Sequence, residues 1–473
     1  MKILIVAHRF PPRHQTGAEL YSWRLAKALL ERGHEITVFT ADDDLLKRNY
    51  ARVVRPMGRL RVIEVQNHRL HETFAETYAD PHMEREFRDV LFEVGPNIVH
   101  FQHLLHHSVH YPAMARELEI PSILTLHEYW FLCGRNGQLL QANGDRCLGP
   151  GNEKCARCLS TFMWGRRNLD LWMLRGLAGV RRLTGVDLKA QARKIRLKRL
   201  SEIDPAHVSI EAIAEMKKDL LIREARVRDM FDMVDCFLAP SEFLKERFVQ
   251  YGLESERILH NDYGTELEAF DRPRVPPKPN GRIRVGFIGS IQPVKGVHLL
   301  VQAMQDLDPV RFEARIWGDL STKPEYVAAL RRQLPSHVRL AGGVPQEAIS
   351  GILADLDVLV VPSVWWENSP LVIHEAFAAG VPVVCSGIGG MAELVADGVS
   401  GLHFQPADVA SLAAALRRLV DEPELLDRLR AGIPTLDDIE SDARFHEQLF
   451  EAVMSHHAEL EEPGEESEID FEG

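Results

Sequence analysis

The chain has 473 residues and a formal net charge of −13, with 45% hydrophobic and 26% charged residues. This length exceeds one ordinary core, because single domains rarely pass about 250 residues. The acidic balance argues against broad nucleic-acid binding, and no run of about 18 apolar residues predicts a membrane-spanning helix. The start, MKILIVAHRF, enters a strand directly and lacks a signal-peptide pattern, so we expect a cytoplasmic protein with reduced or metal-bound cysteines.

The first part of the chain alternates short apolar strands with amphipathic helices. KILIVAH is typical of a buried strand, a helical pattern runs from about Glu19 to Leu30, and Gly33 ends it before a second strand. NIVHFQH and PSILTLHE predict two more strands, and VDCFLAPSEFLKERFVQYG predicts a strand, turn and helix. This alternation predicts a Rossmann-like, doubly wound α/β domain over residues 1–270.

One segment, 128–230, interrupts that alternation and is predicted to be an insertion. Its first part carries cysteines and glycines, and its second part, from Trp164 to Arg228, is helical and basic. The basic face between Arg181 and Arg199 predicts peripheral contact with an anionic membrane surface. The alternative is a solvated helical face, or a helix packed on the first domain.

A second α/β pattern follows a linker. The proline-rich segment 271–281 has no periodicity and predicts the linker. Residues 282–436 again alternate strands and helices, which predicts a second Rossmann-like domain facing the first across a cleft. A helix is expected over 437–458, crossing back to the first domain, and an acidic disordered tail over 459–473.

The segment SVWWENSPLVIHEAFAAG places Glu367 in a loop after a strand and Glu375 in the second turn of the next helix. Ser369 followed by Pro370 predicts an N-cap with proline at the first helical position. The free amides at such a helix start form an anion site suited to phosphate. A nucleotide-diphosphate sugar has the matching layout of sugar, diphosphate and ribose.

This segment resembles the E-x(7)-E motif of retaining glycosyltransferases with the GT-B fold, and in particular glycosyltransferase family four. The neighbouring sequence EAFAAGVPVVCSGIGGMAELVADGVSGLHF and the amino-terminal RFPPRHQTGAELYSWRLAKALLERGHEITVFT carry the same resemblance. The resemblance implies a hexosyltransferase-type enzyme (EC 2.4) that takes the sugar from a UDP- or GDP-sugar. It does not cover the insertion.

The resemblance also implies roles in donor binding. Glu375 binds the ribose hydroxyls, and Glu367 contacts the donor sugar as one of the implied catalytic residues. The amides around Ser369, Leu371 and Val372 receive the diphosphate.

Two further donor positions lie in GSIQPVKGV. Lys295 holds the diphosphate and counts among the implied catalytic residues. Ser290 stands where many relatives carry arginine, and it can hydrogen-bond the diphosphate but cannot neutralise its charge.

The implied site in the first domain rests on two residues. Gly17, in HQTGAEL, lets backbone approach the diphosphate or acceptor closely. His127 ends a strand at the cleft edge, and the resemblance implies a catalytic role beside the donor sugar. Glu128 is a candidate to orient His127, whereas His100 and His103 are expected to be structural.

The implied reaction is transfer of the sugar to a hydroxyl acceptor with retention of anomeric configuration. The diphosphate charge is held by Lys295 and the helix amides, and no catalytic metal is expected. We expect a glycan or lipid-linked acceptor in cell-surface polysaccharide synthesis. Two alternatives stay open: a UDP-sugar 2-epimerase of the same fold, and a non-catalytic sugar-nucleotide binding protein.

Four cysteines fall within the insertion: Cys133, Cys147, Cys155 and Cys158. Four thiolates suit tetrahedral Zn²⁺, and the C-x-x-C pair can hold one metal from a tight turn. We therefore expect a structural zinc site, with free or redox-active thiols and disulfides as alternatives. Two further cysteines, Cys236 and Cys385, lie in apolar strands and are expected in the cores.

Overall fold

The computed structural model describes residues 1–141, 144–162, 164–166, 168–184, 208–271 and 281–461. Within them, the first domain contains eight strands: Lys2–Ala7 (β1), Glu35–Asp42 (β2), Arg52–Met57 (β3), Leu60–Gln66 (β4), Ile98–Phe101 (β5), Ser122–Thr125 (β6), Cys236–Ala239 (β7) and Ile258–His260 (β8). They form one sheet in the order β3-β4-β2-β1-β5-β6-β7-β8. Every neighbouring pair is parallel except β3 with β4.

Helices cover both faces of this sheet, and three of them lie wholly or mostly in the described parts of the insertion. The described helices are Gly17–Glu31 (α1), Pro81–Val94 (α2), Tyr111–Arg116 (α3), Asn152–Ser160 (α4), Asn168–Thr184 (α5), Ile210–Met233 (α6) and Glu242–Gln250 (α7). Their starts follow local chemistry, since Asp80 accepts from the amides of His82 and Met83 just before Pro81. Residues 185–207, which carry most of the predicted basic face, lie outside the described residues.

The second domain repeats the pattern with six described strands. They are Ile283–Ile288 (β9), Phe312–Trp317 (β10), Val338–Gly342 (β11), Val358–Val361 (β12), Val383–Ser386 (β13) and Gly401–Phe404 (β14). All neighbours are parallel, in the order β11-β10-β9-β12-β13-β14. This is the doubly wound order with its switch point between β9 and β12, the place where such sheets bind ligands.

The helices of the second domain are mostly short. They are Val297–Gln305 (α8), Pro324–Arg332 (α9), Ile349–Ala354 (α10), Leu371–Ala378 (α11), Gly389–Leu394 (α12), Val409–Asp421 (α13) and Leu425–Ala431 (α14). The linker is described only at Asp271 and Gly281, since 272–280 lie outside the described residues. The two parallel α/β domains confirm the predicted fold class.

A final helix, Ile439–Glu461 (α15), packs against the first domain. Its residues Ala443 and Phe450 are fully buried in a cluster with Tyr21 and Leu25 of α1. Asp442 accepts a hydrogen bond from the Tyr21 hydroxyl at 2.9 Å and another from Asn261 at 2.9 Å. This helix therefore returns the chain to the first domain. It continues three residues past the predicted end, and 462–473 lie outside the described residues.

Two local expectations needed revision. The antiparallel β3–β4 hairpin was not predicted, because Pro56 interrupts the alternating pattern of this edge strand. Its turn contains Gly58, with φ +63°. Cys155 and Cys158 were expected on a tight turn, but they lie one turn apart on α4. Among the described residues, no helix is both long and apolar enough to cross a membrane.

Candidate functional site

Glu367 lies in the loop that follows β12, and its carboxylate is fixed from two directions. Lys295 Nζ donates to Glu367 Oε1 at 2.6 Å, and Ser363 Oγ donates to the same oxygen at 2.6 Å. Burial alone would raise the pKa of Glu367, but the Lys295 charge and these hydrogen bonds lower it below its ordinary value. The structure thus brings together an anionic and a cationic side chain predicted for the donor site.

The position of Lys295 depends on a close backbone approach at the next residue. Gly296 has φ +67°, and a Cβ there would lie 1.7 Å from the carbonyl oxygen of Pro362. Only glycine fits this conformation and contact, so the loop after β9 packs directly on the loop that leads to Glu367. The Val364 amide also donates to the Val294 carbonyl at 2.9 Å. Lys295 and Glu367 are therefore paired by backbone packing as well as by charge.

The helix start was predicted one residue too early. Helix α11 begins at Leu371 with Pro370 in the N-cap position, and Ser369 does not cap it. Instead Ser369 Oγ donates to Asp262 Oδ1 of the first domain at 2.7 Å and lies 2.7 Å from His374 Nε2. The amides of Leu371 and Val372, as the first helical residues, have no intrahelical acceptor. They remain the candidate diphosphate donors.

Glu375 is buried where the two domains meet. Arg24 Nη2 of α1 lies 3.1 Å from Glu375 Oε1, and Gln346 Nε2 donates to the same oxygen at 2.7 Å. Arg24 also lies 3.0 Å from Glu266. The side chains of Arg24 and Glu375 are 3% and 5% exposed, so this pair is largely removed from water. Glu375 thus keeps its second oxygen, Oε2, for a further partner.

His127 is buried, with both ring nitrogens engaged by the first domain. Its Nε2 donates to Gln102 Oε1 at 2.7 Å, and Nδ1 accepts from the Tyr263 hydroxyl at 2.6 Å. Burial holds the pKa of His127 well below its ordinary value, and the nearby His103 and His8 act in the same direction. Burial therefore favours the neutral form of the ring. What faces the second domain is its carbonyl, which accepts from Asn368 Nδ2 at 3.2 Å.

Glu128 does not orient His127, contrary to prediction. Its carboxylate accepts from the Trp130 amide at 2.8 Å and pairs with His103 Nε2 at 3.0 Å. Glu128 lies in the bend that follows β6, where its side chain is held by these two partners. His100 is fully buried with Nε2 2.8 Å from the Thr125 hydroxyl, as expected of a structural histidine.

The loop containing Glu367 is also held across the cleft and within its own domain. Asn368 Oδ1 accepts from Ser241 Oγ, at the start of α7. A Cβ at Gly390 would lie 1.4 Å from the Asn368 carbonyl oxygen, and the Gly390 amide donates to the Glu367 carbonyl at 3.0 Å. This loop therefore has contacts to both domains. Its geometry depends on how the domains close.

The remaining predicted positions lie near these groups. Gly17 is the first residue of α1 and not a loop residue, and a Cβ there would lie 4.0 Å from the Leu371 side chain. Gly17 thus faces the start of α11 across the cleft. Ser290 is half-buried two residues after β9, on the loop that carries Lys295.

The four cysteines of the insertion line one cavity together with Arg135 and Arg223. Among the described residues, however, no three of their sulfurs lie within 4.8 Å of one another. Within the described residues, the one group of three or more potential ligands within 4.8 Å of each other is His14, Asp42 and Asp43. Burial raises the pKa of the Cys133 thiol to about 11. The zinc site stays a prediction. The core cysteines, Cys236 and Cys385, are buried as expected.

The cysteine segment contacts the loop that carries Glu367 directly. Trp366 Nε1, next to Glu367, donates to the Cys147 carbonyl at 2.9 Å. The guanidinium groups of Arg146 and Arg247 lie 5.2 and 5.3 Å from the Trp366 ring centroid. The conformation of the insertion is thus coupled to the loop that positions Glu367.

Sequence reasoning missed several residues of this site: Arg24, Gln102, Ser241, Asp262, Tyr263 and Gln346. Several of them follow a strand of the first sheet, as Gln102 follows β5 and Asp262 follows β8. The carboxyl ends of the predicted strands β5 and β7 were therefore the available signal for Gln102 and Ser241. The strand β8 was not predicted, so Asp262 had no such signal. Arg24 gave no such signal, since it lies within an amphipathic helix.

Two family models match the chain. Residues 15–176 match the model of Glycosyltransferase Family 4, and residues 270–434 match that of Glycosyl transferases group 1. The two matches together span well over half of the chain. The chain belongs to glycosyltransferase family 4.

Similar family members have named activities. A D-inositol 3-phosphate glycosyltransferase of Thermomonospora curvata is 33% identical over 212 residues, covering 38% of this chain and 48% of that protein. The chain spans about half the length of the curated relatives it matches.

Solved GT-B glycosyltransferases share their fold with almost the whole length of this chain. The structure of sucrose-phosphate synthase from Thermosynechococcus elongatus superposes with a TM-score of 0.64 at 18% identity, covering 96% of this chain and 99% of that one. The structure of Anabaena HepE in complex with UDP and glucose gives 0.58 at 16% identity, covering 95% and 99%. At these identities the likeness establishes the GT-B fold.

Proposed function

We propose that this protein transfers a sugar from a nucleotide-diphosphate sugar to a hydroxyl acceptor, with retention of anomeric configuration. The observation that carries the proposal is the convergence of Lys295, Glu367 and the start of α11 at one cleft edge. Lys295 and Glu367 are 2.6 Å apart. A cation, helix amides without an intrahelical acceptor and a buried carboxylate in this order match diphosphate and sugar.

The donor would lie along α11. The ribose hydroxyls would donate to Glu375, and the diphosphate would accept from Lys295 and from the amides of Leu371 and Val372. Glu367 and the surroundings of His127 would receive the sugar. UDP or GDP is the expected nucleotide, and the UDP complex of HepE supports the former.

The chemistry needs charge stabilisation on the leaving diphosphate. Lys295 and the α11 amides are fixed before the reaction, so they can stabilise the growing negative charge without reorganising. His127 is not the base in this scheme, because both of its ring nitrogens are already hydrogen-bonded within the first domain. The acceptor hydroxyl would attack from the face on which the diphosphate leaves, and the diphosphate would take the proton.

The acceptor is proposed to be a glycan or a lipid-linked sugar of cell-surface polysaccharide synthesis. The protein would work in the cytoplasm, with peripheral membrane contact through the basic part of the insertion. Ser290 leaves the diphosphate with one cation fewer than relatives that carry arginine there. The α11 amides then take a larger share of the charge.

A donor screen tests the proposal. Nucleotide release is measured for UDP- and GDP-sugars, with and without a lipid-linked acceptor, and product configuration is read by NMR. We expect release that depends on the acceptor and an anomeric configuration matching that of the donor. Conversion of a UDP-sugar without an acceptor would instead indicate an epimerase. Binding without turnover for any pair would indicate a binding protein.

A further inference from the structure

Three arginines surround a single carboxylate at the carboxyl edge of the first sheet, outside the donor site. Arg9 follows β1, Asp43 follows β2 and Arg69 follows β4. Arg166 comes from the insertion, and its amide donates to the Arg69 carbonyl at 2.7 Å. We call Arg9, Arg69, Arg166 and Asp43 the Asp43 cluster.

The charges in the Asp43 cluster do not balance. Asp43 Oδ2 accepts from Arg69 at 2.8 Å and from Arg166 at 2.9 Å, and Arg9 lies 3.9 Å away. Three guanidinium groups therefore share one carboxylate. Burial and the neighbouring Arg166 lower the pKa of Arg69 to about 10, with Asp43 opposing that shift.

The adjacent acids do not supply the missing negative charge. Arg13 lies 2.6 Å from Asp42 and 3.2 Å from Asp44, and His14 lies 3.2 Å from Asp42. Lys47 is a second basic partner of Asp44, at 3.9 Å. These two aspartates already have basic partners. An excess of positive charge is therefore left at the Asp43 cluster.

Two donors of the cluster are buried without a partner. Among the residues that the structure describes, Arg69 Nε and Arg166 Nη1 are buried and make no hydrogen bond. Leaving a buried guanidinium N–H unpaired is costly. If the cluster only held the insertion against the first domain, one arginine paired with Asp43 would be enough. That role explains neither three arginines nor the unpaired donors.

A cation is disfavoured at the same place. His14, Asp42 and Asp43 have ligand atoms within 4.8 Å of one another. Both aspartates, however, are already paired with arginines, and a metal ion would add positive charge beside them. An oxyanion instead satisfies both the charge and the unpaired donors, since arginine suits phosphate geometry.

The Asp43 cluster connects to the candidate transfer site through adjacent side chains. His8, next to Arg9, packs against His103 with ring centroids 4.4 Å apart. His8 Nε2 also lies 3.2 Å from Glu19, near the start of α1. His103 pairs with Glu128, which is adjacent to His127. The cluster therefore lies on the first-domain side of the cleft, on the same sheet edge as His127.

We propose that Arg9, Arg69 and Arg166 bind a phosphate group carried by the acceptor. This inference rests on the proposed glycosyl transfer and adds the substrate class to it. The phosphate could belong to a phosphorylated sugar or to the diphosphate of a lipid-linked sugar. Both present the same oxygens to the cluster, and the Arg166 contact would also order the insertion against the acceptor.

Inorganic phosphate is the first probe. Thermal unfolding is followed against phosphate concentration in a Lys295→Ala background, which removes the cation of the donor site. The Lys295→Ala protein should be protected, and adding Arg9→Gln and Arg166→Gln should raise the half-saturating concentration about tenfold or more. Adding Arg13→Gln instead, on the same sheet edge but paired with Asp42 and Asp44, is the matched control and should keep the protection. Equal protection in all three proteins would overturn the inference.

Kinetics then separates the inference from the proposed function. With Lys295 intact, the Arg9→Gln and Arg166→Gln protein should keep the wild-type affinity for the donor while KM for a phosphate-bearing acceptor rises. Lys substitutions at both positions should recover part of the loss. A phosphorylated soluble sugar and a lipid diphosphate sugar, assayed side by side, distinguish the two sources. An unchanged KM for both overturns the inference alone, whereas absence of transfer from wild type overturns the proposed function.

Discussion

Arg24 of the first domain lies 3.1 Å from Glu375 Oε1 of the second, and both side chains are buried. The carboxylate proposed to bind ribose is therefore also a contact between domains. Gln346 donates to the same oxygen, so both of these contacts leave Glu375 Oε2 for the ribose in the proposed donor site. Nucleotide binding and domain closure would then depend on one side chain.

Substitution Glu375→Gln should weaken binding of the nucleotide-diphosphate sugar by about tenfold or more. A neutral amide is a poorer acceptor for ribose hydroxyls, and hydrogen bonds to charged groups contribute roughly 1.5–3 kcal/mol. Isothermal titration calorimetry with the nucleoside diphosphate measures the loss.

Arg24→Gln is the control for that measurement. It breaks the same ion pair, together with the Arg24 contact to Glu266, but leaves the carboxylate proposed to bind ribose in place. Its nucleotide affinity should stay closer to wild type than that of Glu375→Gln. If both variants lose affinity equally, the Glu375 effect comes from domain packing and the ribose assignment is wrong.

Substitution Lys295→Ala should lower kcat about a hundredfold or more relative to wild type. This loss should exceed that of Glu375→Gln. Negative charge grows on the leaving diphosphate, so the cation matters most in the transition state. Steady-state nucleotide release measures kcat. Lys245→Ala, on α7 and paired with Glu242 at 3.8 Å, is the charge-matched control and should retain wild-type turnover. A wild-type kcat for Lys295→Ala would remove Lys295 from the mechanism.

Some features of the candidate site were predictable from the sequence and others were not. The placement of Glu367 and Glu375 around a helix start was predictable, because a buried strand, a turn and a helix are local patterns. The hydrogen bond from Ser369 to Asp262 was not predictable, since it depends on how one domain packs against the other. The Arg24 contact with Glu375 spans 351 positions and has the same cause. The phosphate inference likewise needed the sheet edge to bring Arg9, Arg69 and the insertion together.

The cysteine cavity gives a metal prediction. We expect about one zinc ion per chain by elemental analysis, and its loss in the double variant Cys155→Ser and Cys158→Ser. Zinc binding would require the sulfurs to move closer than they lie here. Cys236→Ala, in the first-domain core, should keep the metal. A metal-free protein with four titratable thiols in the insertion would exclude zinc and leave free thiols.

The basic part of the insertion gives a membrane prediction. We expect the protein to sediment with vesicles of anionic lipid, to remain in the supernatant with neutral vesicles, and to lose binding as salt rises. Replacing Lys189, Arg193 and Lys194 by glutamine should reduce sedimentation. Equal recovery in the supernatant with both kinds of vesicle would show that this face does not bind membranes.

Asp442 gives a prediction about stability and pH. Burial alone would raise its pKa, but the adjacent His446 and hydrogen bonds from Asn261 and Tyr21 lower the pKa of Asp442 below its ordinary value of 3.8. A lowered pKa in the folded state means that ionised Asp442 stabilises the fold above its ordinary pKa. That stabilisation is lost as pH falls through the ordinary value towards the lowered one.

Substitution Asp442→Asn should therefore lower the free energy of unfolding by about 1–3 kcal/mol near neutral pH. The difference from wild type should shrink below about pH 4, because wild type alone loses the charge. Urea unfolding at several pH values measures both. Glu451→Gln, exposed on the same helix, should match wild type throughout. A difference that persists undiminished into acid would mean that Asp442 stabilises α15 by shape and not by its charge.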